Sequence, residues 1–455
     1  MPVQNHAAGF DPARIDLPIV DVLPELRDAL AASGVVVLEA APGAGKSTVV
    51  PLALQDVGWL GGQRIIMLEP RRIAARAAAE RMAELLGEPV GGVVGYRMRM
   101  ESRVGPTTRI EVVTEGVLTR MLQDDAALDG VGLVIFDEFH ERSLQADLGL
   151  AFTLQVRQML REDLRILIMS ATLEGLPLED RLQARVVRSA GRLHPVEVRY
   201  QPPLRDQSLE GHCAAVVRRA LATEAGDILV FLPGKREIQR VAAALGEPAG
   251  VEVLPLHGDM SLAEQHAVLS PRHDHRRVIL ATNIAETSLT IEGVRVVVDS
   301  GLARVSRFDP GSGMTRLVTQ RIARANAEQR CGRAGRLGPG VCIRLWGEGD
   351  HMSLPAQAEP EIQRADLLPL ALELVQWGAG PEDLFWLDPP PAALLDQALD
   401  VLRGLGALDS RGQITPHGQE LARLPLHPRL GHMLLEGKRL GHGVLACELA
   451  ALLEE

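Results

Sequence analysis

Apolar residues fall into short, near-continuous runs separated by stretches of helical spacing. The first runs are VVVLEA (35–40), RIIMLE (64–69), RIEVV (109–113), GLVIFDE (132–138) and RILIMSAT (165–172). They are rich in Val and Ile and lack polar alternation, as strands covered on both faces are. Helical segments lie between them, such as Ile73–Leu86, whose alanines and arginines suit a helix. Strands alternating with helices predict a parallel sheet. The pattern resumes after Pro202 and Pro203 with DILVFLP (227–233), VEVLPLH (251–257), RVILAT (277–282), RVVVDSG (295–301) and GVCIRLW (340–346). Two successive α/β units of about 150 residues each are predicted, spanning 1–190 and 191–350, with a boundary near 190–205.

After about residue 350 the period changes to that of a helix. EIQRADLLPLALELVQWG and AALLDQALDVLRGLGAL place Leu and Ala at i, i+3, i+4, and the polar turn DSRGQITPHG follows. This order predicts a winged-helix-like module over 351–425. The last stretch, 426–455, reads as the start of a helical bundle and ends without a cap or a glycine. The expected fold class is therefore α/β, with two parallel-sheet phosphate-loop domains, a winged helix and the start of a bundle.

Composition narrows the function. Hydrophobic residues at 46% and charged residues at 24% exclude a disordered, collagen-like or disulfide-rich chain. Aromatics at 3% are too few for stacking to be a widespread binding device. No apolar run approaches the ~20 residues of a membrane helix, and MPVQNHAAGFDPARID is not a secretory signal. Cys213, Cys331, Cys342 and Cys447 are scattered without a CxxC, so neither a disulfide framework nor a zinc site is expected, and a cytoplasmic setting fits. The net charge of −11 argues against a protein that coats nucleic acid but leaves room for a local basic channel. Lysine occurs only at 46, 235 and 438, which singles out Lys46.

Lys46 lies in APGAGKST (41–48), straight after the first apolar run. Gly43, Ala44 and Gly45 let the backbone curl, so that its N–H groups face phosphate oxygens at a helix N-terminus. Lys46 then reaches the β/γ-phosphates, Ser47 holds Mg²⁺, and Thr48 completes the loop. The usual pattern opens with glycine where this chain has Ala40. Asp137 and Glu138 follow the apolar strand GLVIF at the end where such sheets bind ligands. Asp137 is the candidate Mg²⁺ ligand, with Glu138 beside it as the candidate general base and a further metal contact. In QRCGRAGR (329–336), arginines three residues apart share a helical face and suit the charge that develops in phosphoryl transfer.

These strings, with LEPRRIAARAAAERMA (68–83), TEGVLTRML (114–122), DEFHERS (137–143), SAT (170–172), VFLPG (230–234) and ATNIAETSLTIEGVRVVVDSG (281–301), occur in order over residues 30–345. The set resembles superfamily 2 helicases of the DEAH/RHA group, the bacterial HrpB type most of all. PEIQRADLLPLAL and LPLHPRLGHMLLE extend the resemblance toward the C-terminus. The resemblance implies two RecA-like domains with ATP and Mg²⁺ between them. It implies that Gln329 positions the hydrolytic water and that Arg333 and Arg336 touch the phosphates. Ser170 and Thr172 would link nucleotide state to domain movement, and His140 would couple the metal site to that link. Arg81 would stack on the base and Glu292, where many relatives have Asp, would lie near the ribose. Leu269 stands where some relatives carry a second stacking aromatic, and Phe139 replaces the alanine of the DEAH string.

RNA, mainly single-stranded, is the implied partner, held on its backbone by Arg71, Arg72, Thr114, Ser288 and Thr290, with little sequence preference. SRFDPGSGMTRLV (306–318) reads as a hairpin around Pro310–Gly313, where the family has a strand-separating hairpin. The resemblance also implies oligonucleotide-binding and other C-terminal parts beyond Glu455. The expected activity is RNA-stimulated ATP hydrolysis driving 3′→5′ unwinding, by a monomer without membrane attachment. An ATP-gated RNA clamp would use the same motifs, and an ATPase acting on protein or DNA is a third reading.

Overall fold

The computed structural model describes residues 10–174, 176–191, 194–270, 275–286 and 291–454. Eight strands form the first sheet: β1 (Val35–Ala40), β2 (Arg64–Glu69), β3 (Val94–Met98), β4 (Glu101–Arg103), β5 (Ile110–Thr114), β6 (Val131–Phe136), β7 (Arg165–Ser170) and β8 (Arg185–Ser189). Their order is β4-β3-β5-β2-β6-β7-β1-β8, and every pairing is parallel except β3 with β4. The central strands β2, β6 and β7 are buried almost throughout, which is why their sequences carry no alternation. Helices Lys46–Leu54 and Arg72–Leu86 cover one face, and Leu144–Met159 packs on the opposite face.

Six parallel strands form the second sheet: β9 (Val196–Tyr200), β10 (Asp227–Phe231), β11 (Val251–Leu256), β12 (Arg276–Ala281), β13 (Val294–Asp299) and, later in the chain, Gly340–Arg344. The first sheet ends at Ser189 and the second begins at Val196. Between β13 and the last strand the chain rises into an antiparallel hairpin, β14 (Leu302–Asp309) and β15 (Met314–Arg321), with Asp309 opposite Met314. This ribbon is longer than the 306–318 hairpin expected from its turn residues. Gly340–Arg344 is β16, and the second sheet runs β11-β12-β10-β13-β16-β9.

The C-terminal helices are Leu368–Trp377, Ala392–Gly404, Pro416–Arg423, Pro428–Arg439 and Gly443–Glu454. A single bridge between Leu408 and Ile414 closes a minimal wing across the polar turn. The first of these helices starts at Leu368 and not at Glu361, because Pro369 fixes its first turn and Asp366 accepts the Leu368 N–H at 3.0 Å. Glu361–Gln363 is instead a short 3₁₀ turn. The winged-helix-like module shares one apolar core with the first sheet's outer face, where Phe152 stacks on Trp377 at 4.3 Å. Among the described residues no helix is long and apolar enough to cross a membrane.

Candidate active site

The phosphate loop turns between β1 and helix Lys46–Leu54. Gly43 and Gly45 have φ of +83° and +96°, which side chains with a Cβ rarely adopt. A Cβ on Gly45 would also stand 2.8 Å from Leu17 Cδ1, so the loop is shaped around a small residue there. Lys46 opens the helix and is buried, with Nζ 2.6 Å from Glu138 Oε1.

Asp137 and Glu138 follow β6, and Glu138 sits at φ +50°. Holding a non-glycine residue there costs about 1–3 kcal/mol, a cost that clusters at functional sites. The turn is fixed from both sides. Asp137 Oδ1 accepts the Glu138 N–H at 2.7 Å, and Arg142, also at φ +50°, makes two 3.1 Å bonds to Asp147. Burial alone would raise the Glu138 carboxyl, but Lys46 and His140 hold it down at about 2. Burial raises Asp137 above the ordinary carboxylate range against the pull of Lys46.

Asp137 Oδ2 is buried with no hydrogen-bond partner, and Ser47 and Glu69 flank the same carboxylate. An orphaned carboxylate oxygen beside a hydroxyl fits Mg²⁺, which takes one or two protein oxygens and completes its shell with water and substrate phosphates. Glu69 was not anticipated. Burial and the neighbouring Asp137 and Glu138 charges push its carboxyl well above the usual range. Its signal was present, since it ends the apolar strand RIIMLE as Asp137 follows VGLVIF.

His140 joins this centre to the SAT segment. Its Nε2 is 3.4 Å from Glu138 Oε2, and its Nδ1 accepts the Ala171 N–H at 3.2 Å. Ser170 Oγ donates to the Thr172 carbonyl, and Thr172 Oγ1 accepts the Glu174 N–H at 3.1 Å.

A cavity of about 430 Å³ runs along the loop, lined by Gly43, Lys46, Ser47, Thr48, Glu69 and Glu138 at one end. Leu17, Arg81, His266 and Leu269 also line it. Arg81 is exposed and pairs with Glu84 at 2.9 Å. Leu17 and His266 were not anticipated; Leu17 carries no local sequence signal.

The second sheet supplies Arg336 to this cavity, and burial pulls its guanidinium down to about 10. Gln329 and Arg333 do not line it, although the Arg333 charge lies close enough to Glu138 to help hold that carboxyl down. Arg333 Nε donates to the Glu286 carbonyl at 3.0 Å, and Gln329 lines the adjoining cavities. Arg330, the first of the three evenly spaced arginines, explains their placement. It is buried and bonds Glu286 at 2.8 Å, Asp299 at 2.9 Å and the Leu302 carbonyl at 3.2 Å, pinning the helix to its own sheet. Glu292 is exposed and also absent from the nucleotide cavity; its carbonyl is held by Arg277 at 2.6 Å.

The expected RNA contacts divide. Arg71 bonds Glu141 at 3.1 Å and the Asn283 carbonyl of the second unit at 3.2 Å, and lines a cavity of about 600 Å³ between the units. Arg72 turns instead toward Glu101 at 3.8 Å and is half exposed. Thr114 ends β5 and precedes helix Glu115–Asp124. Ser288 and Thr290 lie outside the described residues.

Residues 24–180 match the DEAD/DEAH box helicase family, 212–338 the helicase conserved C-terminal domain, and 398–426 the winged-helix helicase associated domain (HA2). The chain is 51% identical over 444 residues to the ATP-dependent RNA helicase HrpB of Escherichia coli (strain K12), covering 96% of this chain and 55% of that protein. Against the ATP-dependent RNA helicase HrpA of the same organism it is 36% identical, covering 94% of this chain and 34% of that one. The crystal structure of Escherichia coli DEAH/RHA helicase HrpB superposes with a TM-score of 0.91 at 50% identity, covering 97% of this chain and 57% of that chain. This chain thus spans about half the length of HrpB. The agreement runs through both sheets and the phosphate loop that follows β1, and the chain belongs to the DEAH/RHA group of helicases as an HrpB-type member.

Proposed function

We propose that this chain hydrolyses ATP and couples hydrolysis to 3′→5′ movement on RNA and to strand separation. The observation that carries the reading is the meeting of Lys46, Glu138 and Arg336 in one cavity, with Asp137 and Ser47 beside it. Lys46 exchanges Glu138 for the β/γ-phosphates of bound ATP. Ser47 and Asp137 would hold Mg²⁺, which would supply positive charge to the phosphate oxygens. Release of Lys46 frees the Glu138 carboxylate to take a proton from the attacking water. Gln329 orients that water, and Arg333 leaves the Glu286 carbonyl to join Arg336 on the charge that builds during transfer. These moves require the two sheets to close, and His140 with Ser170 and Thr172 carries the change to the SAT segment.

Arg71, Arg72, Thr114, Ser288 and Thr290 hold the RNA backbone, which binds without reading sequence. The β14–β15 ribbon divides the duplex. The RNA substrate is supported by the names of the relatives, and the polarity by the family resemblance alone. Strand displacement on a 3′-tailed RNA duplex tests the reading. Displacement is expected with ATP, and not with a 5′ tail or with Glu138→Gln. Turnover without displacement on either tail contradicts the unwinding reading and assigns the chain a clamp role.

A further inference from the structure

Two cavities meet at Arg336. The nucleotide cavity is closed on one side by Lys46, Glu138 and Arg336. Beyond Arg336 opens a second cavity of about 370 Å³, whose walls include Thr172, Arg324, Gln329, Gly332 and His351. Pro42 and Arg336 are the residues that line both. Arg81, His266 and Leu269 line the nucleotide cavity and not the second one. A nucleotide whose base lies against Arg81 therefore places its terminal phosphate toward Arg336 and the second cavity.

The chemistry of the second cavity suits a small anion. Arg336 enters from the inner side. Arg324, in the first turn of helix Arg324–Gly332, is half-buried and makes no ion pair among the described residues. Two carboxylates are also present. Glu328 is already engaged by Arg344 at 2.7 Å, and Glu174 is exposed at the rim. The walls come from the phosphate loop, the SAT segment and the arginine-bearing helix, so the cavity changes shape when these three move.

We propose that this second cavity is the exit and transient binding site for inorganic phosphate, with Arg336 as the partition and Arg324 as the group that holds the departing anion. The inference rests on the ATP-hydrolysis reading and adds the route of one product. Phosphate passes Arg336 into the outer cavity and leaves past Arg324, while the diphosphate nucleotide leaves from the base side. The two products therefore part without waiting for each other. Movement of Thr172 and Gln329, which share the cavity wall, then makes phosphate departure the event that reports to the rest of the molecule.

Inorganic phosphate itself is the probe. Arg324→Ala, Arg324→Glu and Arg324→Lys are compared with the unsubstituted chain for inhibition of steady-state turnover by added phosphate and, separately, by ADP. In parallel, phosphate release is followed with a fluorescent phosphate sensor against acid-quenched hydrolysis. The expected result is kcat/KM for ATP within two-fold in all variants. The phosphate inhibition constant should rise at least five-fold for Arg324→Ala, further for Arg324→Glu, and return toward the original with Arg324→Lys. ADP inhibition should be unchanged. Unaltered phosphate inhibition in both Ala and Glu variants, an equal change in ADP inhibition, or insensitivity of the unsubstituted chain to phosphate would overturn the proposal while leaving hydrolysis intact. Absence of hydrolysis in the unsubstituted chain would remove the parent reading, and the exit site with it.

Discussion

At the residue scale, the buried Lys46–Glu138 pair concentrates the site's electrostatics. Removing one member of such a pair leaves an uncompensated charge and costs about 3–5 kcal/mol where both are fully desolvated. Lys46→Ala is therefore expected to lose both turnover and stability, read by ATP hydrolysis and by a melting curve. Glu138→Gln keeps the volume and a hydrogen-bonding group. It is expected to fold, to bind nucleotide and to lose at least 100-fold in turnover, the range typical of a lost general base. Retained turnover in that variant would move the base elsewhere, and Glu69, beside Asp137, is the next carboxylate to test. Gly45→Ala meets both a left-handed backbone and Leu17, and a loss of about 1–3 kcal/mol is expected in a denaturant titration. Lys46, Asp137 and Glu138 stand out in the sequence because short polar strings after apolar strands mark ligand ends of parallel sheets, and Arg336 because it belongs to an evenly spaced arginine set. The sequence did not place Arg333 and Glu292, whose positions depend on Arg330 and Arg277. Those partners are buried cations that satisfy carboxylates from distant segments, and no local pattern encodes such a pairing.

At the element scale, the joints between helices and sheets carry titratable groups. Glu115, at the start of helix Glu115–Asp124, is pushed up to about 8 by burial and by the nearby Glu141 and Glu361 charges, against the Ser143 hydrogen bond. Glu373 in helix Leu368–Trp377 is raised by burial to about 7, against Gln123 and Arg120. Both lie above the model-peptide value of 4.5, so the folded state binds more protons between 4.5 and 8. Their contribution is fully present below 4.5 and is lost as the pH rises through the folded values, at up to about 1.4 kcal/mol per pH unit per group. The thermal midpoint is expected to fall from pH 6 to pH 8.5, and Glu115→Gln to flatten that fall. A wild-type profile that rises over the same window would contradict the assignment.

The same scale explains which strands were legible. Ten apolar runs read as strands directly, nine of them inside a sheet and one, β11, at an edge. β4, β8 and β9 did not, because ESR, RVVRS and VEVRY mix arginine and glutamate into short edge positions with exposed residues, and β3, an interior strand, did not because Gly95 and the exposed Arg97 interrupt its apolar run. Edge strands need only one apolar face, and three to five residues give too little pattern to detect. The hairpin was visible through Pro310 and Gly313, but its full length depends on strands with exposed side chains along β15. Arg364 donates to the Ser306 carbonyl at 2.6 Å and Gln397 to the Pro310 carbonyl at 3.2 Å, seating the ribbon on the third module. Replacing residues 310–313 with a two-residue turn is expected to spare basal hydrolysis and abolish strand displacement. Displacement at the original rate would remove the ribbon from the separation step.

At the scale of the whole molecule, the two sheets are joined unequally. The winged-helix-like module shares a dry core with the first unit, and Phe152→Ala is expected to cost about 3–5 kcal/mol there and to loosen Trp377. Between the first and second units the link described at Arg71 is one polar bond to Asn283, beside a cavity of about 600 Å³. The proposed cycle of opening and closing around ATP is therefore expected to act at the second joint and to leave the first intact. The helical period after residue 350 announced the third module as separate. Its fusion to the first core was invisible because a contact between Phe152 and Trp377 has no expression in local spacing.

In the proposed function, hydrolysis between the two sheets is coupled to RNA held across them. Steady-state ATP turnover with and without poly-pyrimidine single-stranded RNA, using Glu138→Gln as the blank, tests it most directly. Turnover is expected to rise several-fold with RNA and to vanish in the variant. Turnover that is real in the unsubstituted chain but indifferent to RNA would contradict it.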